Sequence, residues 1–341
     1  MRSHTLLTRR VAVVLSALLA LGHAWPAAAY QTYGIKVGNT VVPVKWSRLP
    51  VRYSITDRGV AGVTAAQFRD AAARAFATWQ NVATASVSAT FAGFTSAEPD
   101  DEDNQNTLGF ASRPDLARVL GSTSYFIDDT TGEILETDIF FNSTFQWSVA
   151  PSGESGKFDL ESIILHETGH LFGLGHSAIG ETELIAGGGR RVIAAESVMF
   201  PIAYSPGNVK DRTPRADDVA GLSEVYPRSS GSSESGSMSG RVTKSGQGVL
   251  GAHVVAFNPA TGALVGNLTV DKEGNVTITG LAPGAYIVRV EPLDDADLDS
   301  FFDDSLIPTV DINFRVSYCQ GFVVVPRGGG SKPFEVKVTA K

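Results

Sequence analysis

The chain has 341 residues, with 28 basic and 36 acidic side chains, a formal charge of −8 and a single cysteine, Cys319. The acidic balance argues against nucleic acid or an anionic membrane surface as the main partner. One cysteine permits no intrachain disulfide, and a chain of this length can bury a core without one.

The N-terminus reads as a cleaved leader. Arg2, Arg9 and Arg10 precede an apolar run at Val11–Leu21, and Ala27-Ala28-Ala29 offers a small-residue cleavage site. Residues 1–29 are therefore expected to be a signal peptide and the protein secreted and extracellular; the Ala-, Gly- and Asp-rich composition reads as bacterial. The apolar run breaks at His23 and Pro26, and nothing later is apolar enough to span a bilayer. Removing the leader leaves 25 basic residues against 36 acids.

Next in the chain stands VKWSRLPVRYSI (44–55). TAAQFRDAAARAFATWQNV (64–82) reads as a helix with Phe68, Ala72, Phe76 and Trp79 on one core face. EPDDEDNQN (98–106) reads as a surface loop, and GSTSYFIDDTTGEILETDIFFN (121–142) as two strands joined by a turn at Asp129–Gly132.

HETGHLFGLGH (166–176) holds three of the six histidines. Residues four apart share a helix face, so His166 and His170 point the same way and can share one ion. Glu167 lies beside that site and outside its ligand set. His176 cannot reach the ion from a straight helix, but Gly173 adopts positive φ at little cost and lets the chain turn back. Three neutral imidazoles leave one tetrahedral position open, the arrangement of a catalytic zinc. A plain amphipathic helix with satisfied histidines explains neither the glycine nor the third histidine. After it come SVMFP (197–201), with one of only three methionines, Met199, and RTPRADDVAGLSEVYP (212–227). The latter reads as a helix with Thr213 as N-cap, Pro214 in the first position and acids in the early turns.

The full HExxHxxGxxH pattern resembles the metzincin metallopeptidases. SVMFP looks like their methionine turn, and Ser177 after the third histidine is typical of the matrixin branch. Pro201 stands where astacins carry a tyrosine. The resemblance runs from about Trp46 to Pro227, with 44–55 similar to the first strand of that domain and 64–82 to its first long helix; its zinc motif and methionine turn are its specific parts. It implies an α+β, metzincin-type catalytic domain, a twisted mixed sheet plus a zinc-binding helix. Zinc would sit on His166, His170 and His176, with Glu167 as general base. By the same resemblance, residues 121–127 form the sheet edge that takes an extended peptide substrate. One of Asp217 and Asp218 is expected to hydrogen-bond backbone near the methionine turn. Asp128, Asp129, Glu133 and Asp138 are candidates for a structural calcium ion. Animal matrixins hold a second zinc largely through histidines on this segment, but Ser124, Tyr125 and Phe140 stand near those places, so one zinc is expected. Tyr30–Lys45 contains no cysteine, Asp or Glu, so no thiol or carboxylate switch for latency is expected there.

RSSGSSESGSMSG (228–240) is a Ser/Gly tract, and residues 228–239 read as a linker. It separates a catalytic domain at 30–227 from a module at 240–341. Alternating strands in that module, SGRVTK, GAHVVAFN, LVGNLTV, NVTITG and AYIVRVEP, are divided by turn signals. It resembles the carboxypeptidase-regulatory-like β-sandwiches appended to secreted enzymes, and its partner is unknown. DDADLDSFFDD (294–304) reads as a solvated acidic loop, with calcium binding the alternative. The expectation is a monomeric, secreted zinc metalloendopeptidase. The alternatives are an adhesin on a protease-like scaffold and a cell-wall peptide amidase.

Overall fold

The computed structural model describes residues 10–14, 32–38, 40–186, 188–228 and 235–341. Most of the expected leader and residues 229–234 of the expected linker lie outside the described residues.

The N-terminal half begins with β1 (Arg10–Val14) and a hairpin of β2 (Gly34–Val37) and β3 (Thr40–Pro43). Then follow β4 (Val51–Thr56), α1 (Ala65–Gln80), β5 (Ala89–Thr95), β6 (Asn106–Ala111), β7 (Gly121–Asp128) and β8 (Ile134–Asn142). Strands β1 and β4–β8 form one sheet in the order β1-β7-β8-β6-β4-β5. Within it β5, β4, β6 and β8 are parallel, while β7 runs antiparallel to β8. The turn between β7 and β8 carries Gly132 at φ 75°, inside the expected Asp129–Gly132.

The structure departs from the sequence reading at three places. The strand expected at 44–55 is confined to β4, because Pro50 has no N–H to give a ladder. The closing helix starts later than expected. Strand β7, expected at the sheet edge, is covered by β1, which pairs antiparallel with it from Arg10 opposite Asp128 to Val14 opposite Ser124. An edge strand presents unpaired N–H and C=O groups, and the Val-rich stretch of β1 has the extended propensity to satisfy them.

Helix α1 begins at an N-capping Thr64, whose hydroxyl accepts the Gln67 N–H while the Gln67 side chain accepts the Thr64 N–H. Its core face is the expected one: Phe68, Ala72, Phe76 and Trp79 are all buried. The Trp79 indole donates to the Leu165 carbonyl at 2.9 Å, which fastens α1 to the next long helix. The short parallel pair β9 (Trp147–Ser148) and β10 (Phe158–Asp159) leads into that helix, α2 (Leu160–Leu171). Asp159 caps it by accepting the Ser162 N–H, and Arg212 grips the same carboxylate with two nitrogens at 2.8 and 2.5 Å. A hairpin of β11 (Gly180–Leu184) and β12 (Arg190–Ala195) and then α3 (Ala216–Val225) complete this half.

The C-terminal half opens with β13 (Gly236–Lys244), which starts inside the tract read as linker, and β14 (Gln247–Gly248). It continues with β15 (His253–Phe257), β16 (Leu264–Leu268), β17 (Asn275–Leu281), β18 (Gly284–Glu291), β19 (Ser317–Tyr318), β20 (Val323–Val325) and β21 (Phe334–Val338). One sheet has the order β14-β13-β17, with β21 also on β13; the other has β16-β15-β18-β19, with β20 also on β18. Both sheets feed one buried cluster that includes Met238, Val242, Val254, Ile278, Val288 and Val336. Ala220 of α3 enters the same cluster, so the two halves touch through their interiors. Among the described residues, no helix is long and apolar enough to cross a membrane.

Candidate metal centre

The last two turns of α2 carry His166 and His170 on one face, and their Nε2 atoms lie 3.1 Å apart. After the helix, Gly173 takes φ 87° and the chain reverses. Every other residue type is strained there, and a Cβ would also collide with the Val44 carbonyl. The reversal brings His176 back, so that one ligand atom from each histidine falls within 4.8 Å of the others. It is the only such group of histidine, cysteine and acidic side chains among the described residues.

Each imidazole is held through its other nitrogen. His166 Nδ1 meets the Val198 carbonyl at 2.7 Å, His170 Nδ1 the Leu174 carbonyl at 2.7 Å, and His176 Nδ1 the Ser300 carbonyl at 2.9 Å. A carbonyl only accepts, so Nδ1 carries the proton and each Nε2 offers its lone pair to the centre. Burial keeps the rings neutral. It lowers His166 to about 3, with His176 beside it acting in the same direction, and it lowers His170 and His176 as well. Neutral Nε2 donors converging on one point fit a divalent zinc-type ion.

Glu167 is 5 % exposed and points to the β7 side. Its Oε2 accepts the Thr123 hydroxyl at 2.7 Å, and the same hydroxyl reaches the Glu167 carbonyl at 3.1 Å. Burial raises the carboxyl to about 7, against the opposing Thr123 hydrogen bond. A Cβ at Gly121 would stand 3.0 Å from Glu167 Oε1, so the start of β7 is kept bare to admit this carboxylate.

Met199 lies buried beneath the helix, and a Cβ at Gly169 would collide with its Sδ. Asp218 accepts N–H groups from Val198 at 2.9 Å, Met199 at 3.1 Å and Arg215 at 2.7 Å, together with the Ser197 hydroxyl. This fastens the methionine turn as expected. It also explains the later start of α3. Arg215 takes the N-cap place expected for Thr213, because the Asp218 carboxylate, aimed at the turn, closes the first helical turn on the Arg215 N–H.

Residues 45–186 match the family model of the matrixin peptidases. The segment is a matrixin domain. No curated protein matches the chain. The matched segment of the matrixin domain contains all three histidines and Glu167, whereas Met199 and Asp218 lie beyond it.

The calcium candidates form no metal-type cluster of three or more among the described residues. Asp128 caps its own turn through Thr130 and Thr131, while Glu133 meets Ser47. Asp138 accepts the Asp100 N–H at 2.8 Å and the Thr107 N–H at 2.7 Å, and burial raises it to about 8. Phe140 is buried beneath the Arg113 guanidinium, Ser124 bonds Asp100, and Tyr125 donates to the His170 carbonyl. In the acidic 294–304 stretch, Asp295 accepts the Thr182 N–H at 2.7 Å and Asp297 meets Arg190 at 3.3 Å, so these two acids bind the first half.

Sequence reasoning missed four contributors. Thr123 and Gly121 look like ordinary strand residues. Tyr33 is half-buried, with its hydroxyl 3.4 Å from His170 Nδ1 and its ring against Tyr125. Ser300 acts through a backbone carbonyl that leaves no trace in residue type.

Proposed function

We propose that this protein is a secreted zinc endopeptidase, with a catalytic domain at 30–227 and a β-sandwich accessory module of the carboxypeptidase-regulatory-like kind after a Ser/Gly linker. The observation that carries the reading is the buried carboxyl of Glu167 beside three imidazole Nε2 atoms that converge on one point in a matrixin domain. His166, His170 and His176 would hold the metal, which when bound supplies Lewis acidity toward a scissile carbonyl and a water.

Glu167 takes the proton of the attacking water and returns it to the leaving amine. Its raised pKa suits a group that must both accept and release a proton near neutrality. Thr123 fixes the carboxylate by holding Oε2, which leaves Oε1 on the open side. Substrate lies extended along β7, the mode in which β1 already engages that strand through antiparallel main-chain bonds. Loss of the leader frees this edge for peptide. Digestion of an unbiased peptide library, cell-wall peptides included, tests the reading. Cleavage that requires zinc and Glu167 supports it. A folded, zinc-loaded protein that cuts no peptide sinks it.

A further inference from the structure

Two histidines of the centre are oriented from within the first half of the chain and the third from the second half. Val198 and Leu174 hold His166 and His170, whereas His176 is held by Ser300, 124 residues away. The next residue is tied to the same neighbour by another route. Ser177 donates to Asp217 Oδ2 at 2.5 Å, and the Gly266 N–H of β16 donates to Asp217 Oδ1 at 2.9 Å. Ile179 packs directly on Gly266, where a Cβ would stand 3.1 Å from its Cγ1. The segment that delivers the third ligand is thus gripped from both sides by the C-terminal half.

The contact around it is extensive. Asp295 accepts the Thr182 N–H and, through its carbonyl, the Thr182 hydroxyl, both at 2.7 Å. Arg190 donates to the Asp294 carbonyl at 2.8 Å. Ala296 is buried with Val192, Ala195 and Phe200, with Phe301 packed against them, and the Phe301 ring lies 6.3 Å from His176. This is an interdomain seam with an apolar centre and a hydrogen-bonded margin, which gives it one preferred geometry.

We propose that the C-terminal half is part of the metal centre: the Ser300 carbonyl and the Gly266 N–H together position the third ligand, so metal affinity and docking of the two halves are thermodynamically coupled. The inference rests on the zinc reading of the site. A carbonyl on the far nitrogen of a ligating histidine fixes its tautomer and ring plane, and loss of such a partner typically weakens metal binding by about 10- to 100-fold. Coupling is reciprocal, so zinc that prefers the docked geometry also tightens docking.

The test uses the full chain. Gly266→Val wedges the seam from β16, where its Cβ meets His253 Nε2 at 2.7 Å and Ile179 at 3.1 Å, and it touches no ligand. Asp295→Ala removes the acceptor for the Thr182 N–H, and Asp295→Asn keeps an acceptor there. Chelator competition on folded protein should show zinc binding weakened about tenfold or more in Gly266→Val and Asp295→Ala, with most of it restored in Asp295→Asn. In wild type, stripping zinc should speed amide exchange at Gly266 and Ser300–Phe302. Should Gly266→Val fail to fold, the Asp295 pair and the exchange experiment decide. Wild-type zinc affinity in both folded variants, or exchange at Ser300–Phe302 indifferent to zinc, overturns the proposal and leaves the zinc reading standing. A wild type that binds no zinc overturns both.

Discussion

His166 and His170 sit on one turn of α2 and lean on carbonyls from their own half of the chain, while His176 leans on the other half. The first pair is a consequence of helical period and would exist in any fold that keeps α2 helical. The third ligand depends on Gly173 for its path and on the docked β-rich half for its orientation. A metal centre can thus be local in its ligands and non-local in what aims them. The same contrast runs through the aspartate pair on α3. Asp218 serves the methionine turn of its own half, and Asp217 reaches across to β16.

The largest effect expected on this comparison comes from the ligands themselves. His170→Ala and His176→Ala should each abolish tight zinc binding, since two imidazoles make a poor site however they are oriented. Wild type should hold one zinc per chain by elemental analysis after dialysis. Two tightly held zincs would contradict the packing of Phe140 as buried core.

Glu167→Ala separates base from ligand. It should retain zinc and fold while losing roughly two or more decades of kcat/KM. Comparable hydrolysis by wild type and variant would remove Glu167 from the mechanism.

The aspartates sharpen the contrast between halves. Asp218→Ala strips the acceptor from three N–H groups and should destabilise the chain by about 3 kcal/mol or more, since each orphaned buried donor costs about 1–3 kcal/mol. Asp217→Ala orphans only the Gly266 N–H and the Ser177 hydroxyl, so its loss should be smaller and its zinc affinity should fall. Equal losses of stability in denaturant titrations, with zinc affinity unchanged in Asp217→Ala, would erase the distinction.

The mildest effect is on pH dependence. Burial raises Glu167 to about 7, and the base works only when deprotonated. Activity should therefore fall as pH drops through its acid limb. The positive charge of bound zinc favours the carboxylate and places that limb below 7. Glu167→Asp, with a shorter reach, should keep an acid limb at reduced rate. A flat profile of kcat/KM from pH 5 to 8 would argue that another group carries the proton.

Much of this was legible in the residues. The i, i+4 histidines, the glycine that turns the chain, the core face of α1 and the methionine turn all rest on short-range geometry, in which a residue type at a fixed offset has one physical consequence. Apart from the strand that Pro50 shortens, the differences arose where a distant group intervened. Arg215 became the N-cap because Asp218 is held by the methionine turn, and β7 lost its free edge because β1 pairs with it. Thr123 and Gly121 gained their roles only when β7 came beside α2.

By itself, then, the sequence determined which side chains can bind a metal, which carboxylate stands beside them, and that the chain must turn at Gly173. Helical period and glycine's freedom at positive φ act within a few residues and need no other part of the molecule. Tertiary structure alone decided what aims His176 and what holds Glu167. Every residue carries a backbone carbonyl, so only the docking of the two halves could single out the one at Ser300.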